Sequence, residues 1–118
     1  MYAVMFEVFP TKEGTAEYLE IAKGLKNFLP NQEGFISIER FKSLADENKV
    51  LSLSFWETEE AIEKWRNKME HRQGQLKGKK QLFHSYRIHV AEVVRKYSQS
   101  ERAGAPEDSN VQLCDTGK

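Results

Sequence analysis

The chain predicts an α+β domain in the order β-α-β-β-α-β, with a four-stranded antiparallel sheet carrying both helices on one face. Three observations carry this. Apolar residues alternate with a period of two in four stretches, recur at three- and four-residue steps in two others, and turn-forming residues separate them. With 118 residues, 39% apolar and 31% charged, the chain has material for one core and one domain.

Tyr2 to Phe9 is the first strand, with Tyr2, Val4, Phe6 and Val8 on one side and Ala3, Met5, Glu7 and Phe9 on the other. Both sides are largely apolar, which places the strand in a sheet covered on both faces. Pro10 stops it. Gly14-Thr15 offers a turn and an N-cap, and Tyr18, Ile21, Ala22, Leu25, Phe28 and Leu29 then form the stripe of an amphipathic helix that ends at Pro30 to Gly34. Phe35 to Phe41 is rich in aromatic and β-branched residues and reads as a second strand. Ala45-Asp46-Glu47-Asn48 supplies turn chemistry, so Val50 to Trp56 folds back on that strand as a hairpin.

Thr58 caps the second helix, and Glu59 and Glu60 occupy its first turn, where the helix dipole favours negative charge. Ala61, Ile62, Trp65 and Met69 share the face that packs on the sheet. The pattern weakens into a basic, glycine-containing loop at Gly74 to Lys80, and Tyr86 to Val94 is the last strand. This order is the ferredoxin-like split βαβ arrangement. Helices on one face leave the other bare and apolar, so the expected partner is a second copy of the chain, giving a homodimer. Residues 1–97 form the domain, and the polar, turn-rich stretch 98–118 is expected as a flexible tail.

Composition narrows the function. Net charge is zero, which gives no electrostatic reason to bind nucleic acid or an anionic membrane. There is no long apolar run, and the N-terminus opens directly into a strand, so the expectation is a cytoplasmic protein. Lys64, Arg66, Lys68, Arg72, Lys77, Lys79 and Lys80, set against Glu70, form a local basic stretch: a solvated face, or one that attracts a small anion. Cys114 is alone, which excludes an intrachain disulfide. His71, His84 and His89 share no metal-ligand spacing with a carboxylate, so no metal site is expected.

The run Phe55-Trp56-Glu57-Thr58-Glu59-Glu60-Ala61, the stretch Trp65-Arg66 to His71-Arg72-Gln73, and Tyr86-Arg87-Ile88 to Val93-Val94-Arg95 resemble the antibiotic biosynthesis monooxygenase family of dimeric α+β barrel proteins. The resemblance implies a cofactor-independent monooxygenase of a small aromatic or quinol-like compound, bound in an apolar cavity between sheet and helices. Such members use an asparagine and a tryptophan on the third strand plus tyrosines. Trp56 matches the tryptophan, Ser52 stands at the asparagine position and Ile62 at that of a tyrosine. The family also contains haem-degrading oxygenases, in which a helix tryptophan and a later histidine hold the porphyrin; Trp65 and His71 are the matching positions, with Phe6 and Glu7 where a first-strand asparagine would stand. A third reading is a non-catalytic small-molecule-binding or stress-response module.

The candidates are therefore His71, Asn67, Trp65 and Trp56 for catalysis, and Ser52, Phe6 and Arg72 for contact with the ligand. Haem is the only cofactor the resemblance suggests, and otherwise none is expected. Packing alone suffices to explain a tryptophan at either position. Asn67 and His71 lie one helical turn apart. If the helix continues, His71 falls around it from the Trp65 face; if it breaks near Met69, His71 turns toward the cavity mouth, where its near-neutral pKa suits proton transfer.

Overall fold

The computed structural model describes residues 1–12, 14–25, 27–76 and 83–109, with the backbone alone described at 15, 22, 70–76, 83 and 84. The elements follow the predicted order: β1 (Tyr2–Pro10), α1 (Gly14–Leu25), a 3-10 turn (Leu29–Asn31), β2 (Phe35–Lys42), β3 (Val50–Trp56), α2 (Glu59–Leu76) and β4 (Phe83–Glu92). The strands form one antiparallel sheet in the order β2-β3-β1-β4.

Local chemistry explains most boundaries. The Gly14 amide donates to Thr11 Oγ1 at 2.8 Å and α1 begins at Gly14, so the cap comes from Thr11 and the expected cap Thr15 lies inside the helix. Its end also differs from the sequence expectation: α1 stops at Leu25, and Phe28 and Leu29 belong to tighter i→i+3 turns. Pro30 disfavours helical backbone at the residue before it, and the resulting 3-10 turn drives Leu29 into the core. Thr58 caps α2 as expected, with Ala61 N donating to Thr58 Oγ1 at 3.1 Å. In the β2–β3 hairpin Asp46 Oδ1 accepts from Asn48 N, and Ser43 Oγ from Ala45 and Asp46. β4 begins and ends earlier than the alternation suggests, and Val94 lies beyond it, exposed.

The register gives each face its composition. One face carries three rows across β2-β3-β1-β4: Ile38-Ser54-Val4-Val90, Arg40-Ser52-Phe6-Ile88 and Lys42-Val50-Val8-Tyr86. This is the face the helices cover. Leu29, Trp56 and Ala61 form its core, with Val4, Phe35, Ile38, Ile62 and Trp65 packed around them. The other face carries Ser37-Phe55-Ala3-Ala91, Glu39-Leu53-Met5-His89 and Phe41-Leu51-Glu7-Arg87.

Gly34 ties the two layers together. It has φ of +78°, and a Cβ there would lie 2.7 Å from the Ala61 Cβ, so only glycine lets α2 approach so closely. Its carbonyl accepts from Glu57 N at 2.8 Å, which joins the entry of β2 to the exit of β3.

Residues 98–109, within the stretch expected as a tail, contain local turns: Glu101 N donates to Ser98 Oγ, Arg102 Nη2 to Ser109 Oγ, and the Arg102 guanidinium lies 5.1 Å from the Tyr97 ring centroid. Cys114 lies outside the described residues. Among the described residues no helix is long and apolar enough to cross a membrane.

Candidate functional site

On β3 the odd-numbered residues Leu51, Leu53 and Phe55 are the apolar ones, yet Ser52, Ser54 and Trp56 face the helices. Trp56 sets that phase. Its ring is 1% exposed, stands edge-on to Phe35 at 5.3 Å between centroids and tilts against Trp65 at 6.3 Å. The indole N–H donates to Ser54 Oγ at 2.9 Å. Because an indole nitrogen only donates, Ser54 accepts and keeps its own O–H to offer elsewhere.

Ser52 and Ser54 are each 7% exposed, and they sit where a strand buried under helices would ordinarily place valine or isoleucine. Beside them in register stand Arg40 on one side and Phe6 on the other. The Arg40 Nε is shut off from solvent and meets no hydrogen-bond partner. Phe6 meets Tyr86 edge-on at 5.6 Å, and its row ends at Ile88, with Val90 in the next row. Toward β4 this face opens: Tyr86, Ile88 and Val90 are 61%, 50% and 48% exposed.

Four of the seven candidate residues are thus gathered on one side of the sheet: Trp56, Trp65, Ser52 and Phe6. Asn67 is not with them. It is exposed and lines a groove of about 440 Å³ between α2 and the 31–33 segment, with Asn31, Gln32, Glu33, Ala61, Lys64 and Lys68. The helix runs unbroken through position 71 to Leu76, so the alternative in which it breaks near Met69 does not hold; the side chains of His71 and Arg72 lie outside the described residues.

The basic stretch is partly paired: Lys64 meets Glu33 at 3.4 Å, Lys68 Nζ donates to Gln32 Oε1 at 2.7 Å, and Arg66 lies 4.0 Å from Glu63. Lys77, Lys79 and Lys80 lie outside the described residues. No group of three metal-ligating side chains occurs among the described residues. Ser54, Arg40 and Tyr86 lie on the same side of the sheet and were not among the residues the sequence singled out. A serine next to an apolar residue on a strand reads as solvent-facing, and the signal against that was the two-residue spacing that puts Ser52 and Ser54 on the same side as Trp56.

On the far face Glu7 accepts from Arg87 Nη2 at 2.6 Å and Nε at 3.0 Å, and Lys49 approaches it at 3.5 Å. The hydrogen bond from Arg87, then the charges of Arg87 and Lys49, hold the Glu7 carboxyl below its ordinary value.

Comparison with known proteins gives these findings. Residues 1–76 match the antibiotic biosynthesis monooxygenase family. The chain is 38% identical over 101 residues to a jasmonate monooxygenase of Pyricularia oryzae, an alignment covering 86% of this chain and 47% of that protein, so the chain spans about half of that relative's length. It is 30% identical over 95 residues to the protein YqjZ of Bacillus subtilis, covering 80% of this chain and 81% of YqjZ. Among solved structures, Rv0793 of Mycobacterium tuberculosis superposes with a TM-score of 0.68 at 11% identity, covering 82% of this chain and 98% of that one. The haem degrader MhuD of the same organism, solved with two haems in its active site, gives 0.63 at 15% identity, with coverages of 83% and 100%. At these identities the structural matches speak to the fold.

Proposed function

The chain belongs to the antibiotic biosynthesis monooxygenase family, and from that premise we propose that it is a monooxygenase of a small organic compound, aromatic or quinol-like, bound on the helix-covered side of the sheet beside Trp56. The observation that carries this reading is the pair of buried serines. Two hydroxyls in a helix-covered layer weaken an apolar core, and they become useful where a ligand's oxygen atoms meet them. The monooxygenase name of the Pyricularia oryzae relative supports the reaction class.

In this reading Trp56 and Trp65 form the wall against which a flat substrate rests, and Ser54 offers its O–H to a substrate oxygen while Trp56 fixes the orientation of that hydroxyl. Phe6, Tyr86 and Ile88 bind the apolar body. The substrate supplies the electrons: oxidation of a ring CH2 to a carbonyl by dioxygen places one oxygen atom in the product and the other in water. The protein binds, orients and excludes solvent, with no bound cofactor. With α2 unbroken, His71 falls around the helix from the Trp65 face, and this reading gives it no part in the proton transfer. The enzyme works as a homodimer in this reading, supported by the apolar Met5, Leu51, Leu53 and Phe55 on the far face and by the exposed Phe41 beside them.

Haem, which MhuD holds, finds no described histidine on the Trp56 side, since His89 lies on the opposite face opposite Met5. Oxygen uptake with a panel of hydroquinones and jasmonate tests the proposal: substrate-dependent consumption supports it, and silence across the panel leaves a binding module. A hemin titration that gave a Soret shift lost in His71→Ala would replace it with the haem reading. A monomeric mass by light scattering at micromolar concentration would overturn the dimer.

A further inference from the structure

Arg40 is the one guanidinium that the register places on the helix-covered face among the described strand residues. Its Cα partner is Ser52, and Ser54 and Ile38 occupy the next row. Its Nε is buried and makes no hydrogen bond, and the side chain forms no ion pair with any described residue. A buried guanidinium nitrogen without an acceptor is costly, because the water it has lost is not replaced. The contrast with Arg87 is direct: that arginine, on the far face, donates twice to Glu7. Of the strand acids, Glu39 and Glu7 point the other way in register, and Glu92, which shares the covered face opposite Tyr2, stands three strands and two rows away on β4.

Resting on the reading that the ligand binds on this side of the sheet, we propose that Arg40 anchors a carboxylate of the substrate, with Ser52 beside it, so that the enzyme takes an amphiphilic organic acid. The row itself has that polarity. It begins with Arg40 and Ser52 on β2 and β3 and ends with Phe6 and Ile88 on β1 and β4, with Val4 and Val90 alongside. Adjacent strands stand about 4.8 Å apart, so the row presents a charged end and an apolar end separated by roughly 10 to 14 Å. Arg40 is half-buried with its Nε enclosed, and a guanidinium fork matches the two oxygens of a carboxylate.

The test compares jasmonate with methyl jasmonate, which share one apolar body and differ in the charge, by calorimetric titration of the full chain at neutral pH. The wild type is expected to bind the acid about tenfold more tightly than the ester. Arg40→Met is expected to bring the two within about twofold by weakening the acid alone, and Arg40→Lys to keep part of the preference, since it retains the charge without the fork. Equal binding of acid and ester by the wild type would overturn the carboxylate anchor while leaving a ligand site on this face intact. Retention of the full acid preference in a folded Arg40→Met would also overturn it. Binding of neither compound by a folded wild type would overturn the anchor together with the reading on which it rests.

Discussion

The two faces of the sheet carry polar groups of opposite status. On the far face Glu7, Arg87 and Lys49 satisfy one another within a few ångströms, amid Leu51, Phe41 and Met5. On the helix-covered face Ser52 and Ser54 are buried in an otherwise apolar layer and Arg40 Nε has no acceptor. A polar cluster that closes on itself accounts for its own burial, whereas a buried nitrogen without an acceptor calls for an explanation, and the proposed ligand is the one offered above. This difference, and not the presence of charge as such, directs attention to the covered face.

The comparison is most severely tested where the covered face is best packed. Trp56→Ala should cost roughly 3–5 kcal/mol, because the ring is almost fully buried against Phe35, Trp65 and Leu29; a urea unfolding midpoint close to wild type would show that this layer is not the core. Gly34→Ala comes next, at about 2–4 kcal/mol, since a methyl would collide with Ala61 at a backbone angle that side chains rarely adopt. Its unfolding midpoint should drop with little change in the denaturant slope.

On the far face the expected effect is smaller and appears with pH. The Glu7 carboxyl is held below its ordinary value of 4.5, so the deprotonated form favours folding; that contribution is present above pH 4.5 and is lost as pH falls through the lower, folded value. Glu7→Gln should therefore lower the melting temperature at neutral pH and make the acid side of the pH profile shallower than in the wild type. A parallel profile would show that the Arg87 and Lys49 pairing contributes nothing. Smallest of all is Asn67→Ala, within about 0.5 kcal/mol and with oxygen uptake unchanged, because Asn67 is exposed and stands apart from the Trp56 side of the sheet. A large loss of turnover there would return Asn67 to the site.

The sheet was legible because alternation is a local signal: each strand announces itself within a few residues, and Thr58 announces α2. The end of α1 was not, because Phe28 and Leu29 keep helical spacing while Pro30 converts their turn into a tighter one. Trp56, Trp65, Ser52 and Phe6 were found by residue type and family likeness, and the register brings them to one side. Arg40 stayed hidden since an arginine on an edge strand ordinarily extends into water, and the enclosure of its Nε is a tertiary effect that no local pattern announces. Asn67 was expected to contribute to a pocket with His71, one turn away; it lines the groove beside the 31–33 segment, since two residues after Trp65 a helix has turned nearly to its opposite side.

β1 is hydrogen-bonded along both flanks, to β3 and to β4, over almost its whole length. Gaining or losing one amino acid inside it would exchange the environments of Phe6 and Glu7, sending a carboxylate under the helices and an aromatic ring toward Arg87, or else force two neighbours to slide together. β2, at the border, already absorbs an additional residue at Ile36, between the positions paired with Trp56 and Phe55. Tolerance to insertion and deletion is therefore graded from the middle strand outward, and descendants of this chain are free to change length at its margins but not at its spine.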